Sequence, residues 1–369
     1  MIITQVTIYH LSMPLQAAFK TSFGSTLQRE CILLEARSGE LTGYGECVAD
    51  RDPGYSYETS GTAWHILSDF LIPEILNIDL ETPHDLQAKI AHIRGHPMAK
   101  AGLEMAFWDL LGQRENRSLQ DMIGGAGETV KVGVSVGIQD DQDRLLEVVT
   151  GYLDEGYGRV KLKIMPGRDV SDVSAVRRAY PGVKLQVDAN SAYDMDTVQA
   201  ILPLDDLDLL MIEQPLAEDD LWDHRQVQAQ LVTDICLDES IISAEHARKA
   251  IEMKSCRVIN IKPGRVGGLS QAVAIHNTCL AADIPVWCGG MLETGVGRAA
   301  NLALASLPGF TYPGDISATI RYYAEDITNE NFELQPGSCI LVPNKPGLGI
   351  SINPQALEKC TLRKSRITL

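Results

Sequence analysis

Lys163, Asp188, Glu213 and Asp238 are spaced 25 residues apart, and Lys262 follows 24 residues later. Repetition at the length of a strand–helix unit places residues at equivalent positions in successive units. Each of the five lies at or near the C-terminal end of a short β-like run. The runs are VKVGVSVG (130–137), GRVKLKI (158–164), VKLQVDA (183–189), DLLMIEQP (208–215), DICLDES (234–240), RVINIKP (257–263), IPVWCGG (284–290) and GFTYPGD (309–315). Between them lie amphipathic stretches such as DRLLEVVTGYLDEG (143–156), with Gly156 as a helix stop, and SAEHARKAIEMKS (243–255). Strands alternating with helices imply a parallel sheet. Eight repeats favour closure into a barrel, with its active site at the C-terminal strand ends, over an open sheet with one crevice.

Lys161 and Lys163, in RVKLKIM (159–165), share one strand face. Taken alone, the pair suits a solvated face that blocks edge aggregation. A lone Asp or Glu just after a strand likewise suits a helix cap. Glu213, however, sits in apolar LLMIEQP, and Asp238 has Ser240 beside it as the better cap. Three carboxylates on adjacent strand ends would crowd into one low-dielectric volume, which requires a compensating cation. Oxygen ligands without Cys or His point to Mg²⁺, for which Mn²⁺ can substitute. Lys163 on the second strand and Lys262 on the sixth would then face each other across the barrel.

A carboxylate substrate held by such a cation has an acidified α-proton. Burial and a neighbouring ammonium can bring a lysine towards about 7–8, where it acts as a base. Lys161 would lower Lys163 in this way and also donate to a substrate oxygen. Arg265 could do the same for Lys262, with a surface or phosphate-like role as the alternative. Proton return on the opposite face gives racemisation, and expulsion of a β-hydroxyl gives dehydration; the residues leave both open.

The 369 residues carry a formal charge of −17. That argues against nucleic-acid or anionic-membrane partners, which attract basic surfaces. A small carboxylate substrate remains suitable if positive charge is gathered locally. No apolar run reaches about 18 residues, and the opening MIITQVTIYHLSMPL lacks a basic segment and a cleavage site. The eight cysteines are scattered without a C-x-x-C pair. A cytoplasmic protein and a homo-oligomer are expected. GRVGG (264–268) and ETGVGRA (293–299) could suggest a nucleotide-binding oxidoreductase, but neither follows an N-terminal strand with an acidic residue about 20 positions on. A non-catalytic metal-binding scaffold is the remaining alternative.

VKLKI, QVDAN, MIEQP, CLDES, NIKPGRVGG and WCGGMLETGVGRAANLALASLPGFTYPGDIS together resemble the enolase superfamily, muconate-lactonizing-enzyme subgroup. Within it, the chain is similar to the o-succinylbenzoate synthase / N-succinylamino acid racemase family over nearly its full length. The resemblance implies Asp188, Glu213 and Asp238 as Mg²⁺ ligands, Lys163 and Lys262 as the acid/base pair, and Lys161 as the first lysine of K-x-K. Asn190 and Glu239 would orient the ligands, with ordinary capping as the competing reading. Met291 and Glu293 in GGMLETG match the family's substrate-contacting region, though a glycine-rich loop opening a helix would read the same way.

The implied fold is α/β, a (β/α)₇β TIM-like barrel (126–325) with an α+β capping domain (1–125) completed by the C-terminal segment (326–369). Capping strands are expected in ITQVTIYHL, ECILLEAR and TGYGE, and a helix at 100–115. Loops at 19–26 and 49–59 would close over the barrel mouth, with Phe19, Phe23 and Tyr55 as pocket walls. The implied activity is Mg²⁺-dependent dehydration of 2-succinyl-6-hydroxy-2,4-cyclohexadiene-1-carboxylate in menaquinone biosynthesis. N-succinylamino acid racemisation is the alternative, and dipeptide epimerisation or muconate cycloisomerisation stand behind it.

Overall fold

The computed structural model describes residues 1–368. The chain opens with three antiparallel strands, β1 (Gln5–Thr21), β2 (Gly24–Ser38) and β3 (Leu41–Cys47). Apolar side chains of this sheet, among them Ile8, Ile32 and Leu34, pack on Leu103, Phe107 and Leu110 of the helix Pro97–Glu115. The two backbones nearly touch: a Cβ on Gly45 would lie 2.0 Å from the Gly102 carbonyl oxygen. This close approach explains the glycines of TGYGE.

A two-stranded ribbon pairs β4 (Thr129–Lys131) with a later strand, and the parallel sheet then begins. Its strands are β5 (Val134–Val136), β6 (Arg159–Lys163), β7 (Lys184–Asp188), β8 (Ile212–Glu213), β9 (Ile235–Leu237), β10 (Val258–Ile261) and β11 (Val286–Cys288), in consecutive spatial order. The outward residues Val160, Leu162, Leu185, Val187, Ile259 and Ile261 join helix residues such as Leu145, Val149, Val173 and Val176 in the main core. Met211, Cys236, Val258 and Trp287 form a separate apolar cluster.

The eighth run is not a strand. It makes isolated bridges, Phe310 to Val286 on one sheet edge and Gly314 to Val132 at the other. Asp315 N–H donates to the Cys288 carbonyl at 2.8 Å, and Gly314 N–H to the Lys131 carbonyl at 2.9 Å. Pro313 has no N–H to give to a ladder, so the ring closes through a few bonds rather than a paired strand.

The capping strands are longer than the apolar alternation indicates. The ladder of β1 and β2 continues through Phe19–Thr26, Lys20–Ser25 and Thr21–Gly24 after a break beyond Pro14. Residues 19–26, expected as a loop, are therefore the tip of a hairpin turning at Ser22 and Phe23. Polar residues there hide the strand because the tip projects away from the capping core and only its backbone is paired. At the other end of the chain, β12 (Cys339–Leu341) pairs with β4, and β13 (Thr361–Ile367) pairs antiparallel with β1.

Among the described residues no helix is long and apolar enough to cross a membrane. All eight cysteines are free.

Glu104, on the helix Pro97–Glu115, is buried against Gly268 and accepts from Gln87 Nε2 at 2.9 Å and Ser270 N–H at 3.3 Å. Burial raises its carboxyl from 4.5 to about 7, against the lowering effect of the Ser270 bonds. The folded chain therefore binds this proton more tightly than the unfolded chain. The stability it contributes is present below about pH 4.5 and is lost as pH rises towards 7. Glu104→Gln is expected to reduce the fall in unfolding free energy between pH 4.5 and 7 by up to about 3 kcal/mol, measured by urea denaturation across that range.

Candidate active site

Ladder pairing sets the site's height. Lys163 lies opposite Asp188, and Asp188 opposite Glu213. Asp238 follows β9 directly, and Lys262 follows β10. Because side chains alternate, Lys161 and Lys163 both point inward while Val160 and Leu162 point out to the helices. Asp188, Glu213 and Asp238 are fully buried, Lys161 is 3% exposed and Lys262 4%. The solvated-face reading of the lysine pair is thereby excluded.

Each carboxylate is engaged by cations of the chain. Lys161 Nζ lies 3.0 Å from Asp188 Oδ2 and 3.0 Å from Glu213 Oε2. Lys163 Nζ donates to Asp188 Oδ2 at 2.6 Å and to Asn190 Oδ1 at 2.5 Å. Lys262 Nζ donates to Asp238 Oδ2 at 2.6 Å, and Arg265 bonds the other oxygen of Asp238. Asn260 Nδ2 donates to Glu213 Oε1 at 2.7 Å.

The two lysines differ in character. Burial pushes the Lys163 ammonium below the ordinary lysine range, with Asp188 opposing and Lys161 adding to the push. Burial also opposes the charge on Lys262, but Tyr55 and Glu213 outweigh it and hold Lys262 above that range. Lys161 is likewise raised, since Asp315, Glu213 and Asp188 overcome its burial. The expectation that Arg265 lowers Lys262 is corrected: the guanidinium is spent on Asp238, on the Asn260 carbonyl at 2.7 Å and on the Ile241 carbonyl at 3.2 Å.

Among the described residues, no three His, Cys, Asp or Glu side chains stand close enough together to hold one metal ion in this arrangement. The donor set nevertheless fits a hard divalent cation. It is all oxygen, on three neighbouring strand ends. Beside it Glu239 is buried with Oε2 unpartnered, while Oε1 accepts from Asn190 Nδ2 at 2.9 Å. Burial, then Asp188, pushes Glu239 up to about 7. The backbone turns sharply beyond the first two carboxylates, with φ of 44° at Asn190, 59° at Ser191 and 37° at Gln214. Such left-handed non-glycine residues are costly and cluster at functional sites.

Above the lysines lies a cavity of about 110 Å³. Phe19, Phe23, Tyr55, Met98, Met291 and Tyr322 line it together with Lys161, Lys163, Asn190 and Lys262. Tyr55 does more than form a wall, because its hydroxyl accepts from Lys262 Nζ at 3.0 Å and lies 3.3 Å from both Asp238 oxygens. Glu293 is corrected: it does not line the cavity. Its oxygens accept from Met291 N–H at 2.8 Å and Asn301 Nδ2 at 2.9 Å, so it braces the loop that presents Met291. Glu239 and Arg265 line a neighbouring cleft instead, which Asn190 and Tyr55 also border.

Several residues escaped the sequence reading. Asp315 lies 2.6 Å from Lys161 Nζ, and it ends the eighth run, a signal that was available. Asn260 precedes Lys262 by two and shares its face. Arg29 gave no signal: it is buried in the capping sheet and donates to the Met291 carbonyl at 3.1 Å and to the Val48 and Glu30 carbonyls.

With this fold and site in view, the matched families identify the class. Residues 3–124 match the mandelate racemase / muconate lactonizing enzyme N-terminal domain, and residues 144–356 the enolase C-terminal domain-like family. The chain belongs to the enolase superfamily. It is 46% identical over 358 residues to the o-succinylbenzoate synthase of Bacillus subtilis (strain 168), covering 97% of this chain and 96% of the relative. It is 48% identical over 360 residues to the N-succinylamino acid racemase of Amycolatopsis sp, covering 97% of each. A solved enolase-superfamily structure from Listeria innocua Clip11262 superposes with a TM-score of 0.95 at 43% identity, over 100% of this chain and 99% of that one. The protein is an enzyme of this type.

The cavity wall depends on a contact between the capping sheet and the barrel. Glu46 of β3 accepts from Thr294 Oγ1 at 2.6 Å, Thr294 N–H at 3.1 Å and Gly297 N–H at 3.0 Å, capping the helix Gly295–Ala305. Removing a helix-capping acceptor costs about 1–2 kcal/mol, so Glu46→Ala is expected to lower the unfolding free energy by about 2 kcal/mol in urea titration.

Proposed function

We propose that this chain is an o-succinylbenzoate synthase, dehydrating 2-succinyl-6-hydroxy-2,4-cyclohexadiene-1-carboxylate in menaquinone biosynthesis. The observation that carries the reading is the order Lys163, Asp188, Glu213, Asp238, Lys262 around one barrel mouth, with both lysines lining one cavity. Asp188, Glu213 and Asp238 would hold Mg²⁺, or Mn²⁺ in its place, which supplies stabilisation for negative charge on the substrate carboxylate as its α-proton leaves. Superfamily members use a lysine or histidine base with Mg²⁺.

In this reading Lys161 donates to a carboxylate oxygen and orients the substrate. Lys163 removes the proton at C1 and becomes an ammonium. It then returns that proton to the C6 hydroxyl as the C6–O bond breaks, releasing water and leaving an aromatic ring. Lys262, a cation on the far side, stabilises the negative charge in between. Asn190 holds Lys163 and links it to Glu239, while Arg265 fixes Asp238. Phe19, Phe23, Tyr55 and Met291 exclude water and contact the substrate's apolar parts.

A second reading has its own support: two lysines in one cavity can exchange a proton on opposite faces, which suits racemisation of N-succinyl amino acids. We include with the proposal a domain division near residues 125 and 325, supported by the pairing of β13 with β1. A cytoplasmic location is supported by eight free cysteines. Homo-oligomerisation is supported by the exposed apolar side chains Trp222 and Val232.

The test uses purified protein with Mg²⁺. Formation of o-succinylbenzoate from the cyclohexadiene is expected, and it should stop when EDTA removes the metal. Racemisation of N-succinyl amino acids without any dehydration would reject the first reading. Lys163→Ala should abolish dehydration and reduce solvent-deuterium exchange at one face of an N-succinyl amino acid by about 10²-fold or more. Unchanged exchange would instead support a non-catalytic scaffold.

A further inference from the structure

Lys161 has three carboxylate partners, and they are not equivalent. Asp188 and Glu213 belong to the set assigned above to the cation. The third, Asp315, sits at the end of the segment that closes the ring, and its Oδ2 is 2.6 Å from Lys161 Nζ, nearer than either of the others. Asp315 is itself held from two sides. Ser135 Oγ donates to Oδ2 at 2.8 Å, and Arg159 Nη1 lies 2.6 Å from Oδ1. Arg159 is completely buried and Asp315 is 6% exposed, so neither charge can be satisfied by bulk water. The backbone of Asp315 is pinned as well, through its N–H to Cys288. Beneath Lys161, Nζ lies 4.9 Å from the centre of the Trp287 ring, a flat apolar floor that limits its retreat.

We propose that Asp315 is a positioning residue that acts through Lys161. It tethers the ammonium from the side away from Asp188 and Glu213, so Lys161 keeps its place and direction when those two carboxylates serve a cation. Without the tether, the ammonium would be free to follow Asp188 and Glu213 alone, and its donation to a substrate oxygen would be lost. Arg159 and Ser135 complete the device by fixing Asp315, and Arg159 prevents the aspartate from turning wholly onto the lysine. The inference rests on the reading that Lys161 binds the substrate carboxylate.

The test is a double-mutant cycle read out as the dissociation constant for o-succinylbenzoate in saturating Mg²⁺, measured by calorimetry, with kcat and KM alongside. Asp315→Asn is expected to weaken binding about tenfold and to raise KM more than it lowers kcat, as for a coupled pair in direct contact. In a Lys161→Met background, the same Asp315→Asn substitution is expected to change binding by less than about twofold. An equal loss in both backgrounds overturns the proposal while leaving the functional reading intact. A wild-type chain that does not bind o-succinylbenzoate, or a Lys161→Met chain that binds it as well as wild type, removes the functional reading and this proposal with it. Should Asp315→Asn fail to fold with Arg159 unpaired, Ser135→Ala enters the same cycle. About a threefold weakening that disappears with Lys161→Met supports the tether, and a loss that persists in that background overturns it.

Discussion

The structure depends on a buried network of charge at the C-terminal ends of its parallel strands. Lys161, shared among Asp188, Glu213 and Asp315, joins four segments of the ring through one ammonium. Isolated ions at such a depth would be strongly unfavourable, and breaking a buried pair by removing one partner typically costs about 3–5 kcal/mol. The apolar residues on the outside of the strands and the interior cluster around Trp287 stabilise the ring that makes this concentration of charge tolerable. In the proposed reaction the same network would serve chemistry, because a site whose charges are already desolvated and fixed needs little reorganisation when a substrate's own charge shifts.

The capping sheet extends this constraint to the cavity above the lysines. Tyr55 reaches the Lys262–Asp238 pair, Arg29 holds the Met291 carbonyl, and Glu46 caps the helix that follows the Met291 loop. The cavity is thus lined at a contact between two layers, with lysines from the barrel and aromatic walls from the hairpin tip. Against the chain's charge of −17, three lysines, Lys161, Lys163 and Lys262, converge on the cavity.

The barrel strands and their ring order were legible because polar strand-end residues recur at one period in successive strand–helix units. The lysines and the three carboxylates follow from that period. What stayed hidden has particular causes. The hairpin tip at 19–26 carries only Phe19 and Phe23 as large apolar side chains, and they face the cavity, so no apolar alternation records its paired strands. Pro313 keeps the eighth run from becoming a strand. Glu293 and Met291 are two residues apart in one loop, yet one turns inward to Asn301 and the other into the cavity. Arg265 stands where a neighbour of Lys262 was expected, but only its distances show that it serves Asp238.

The sequence by itself determined the repeated unit, the inward position of Lys161, Lys163, Asp188, Glu213, Asp238 and Lys262, and their order around the ring. Those properties are local: they follow from strand alternation and from equal spacing in successive units. Only the tertiary structure decided which charges are paired, that Asp315 holds Lys161, that Lys163 and Lys262 have opposite tendencies, and which residues of the capping sheet face the cavity. These depend on distances between segments far apart in the chain, such as Arg29 and Met291, which are 262 residues apart, and on the burial that sets the strength of each charge. Neither quantity is encoded at any single position of the chain.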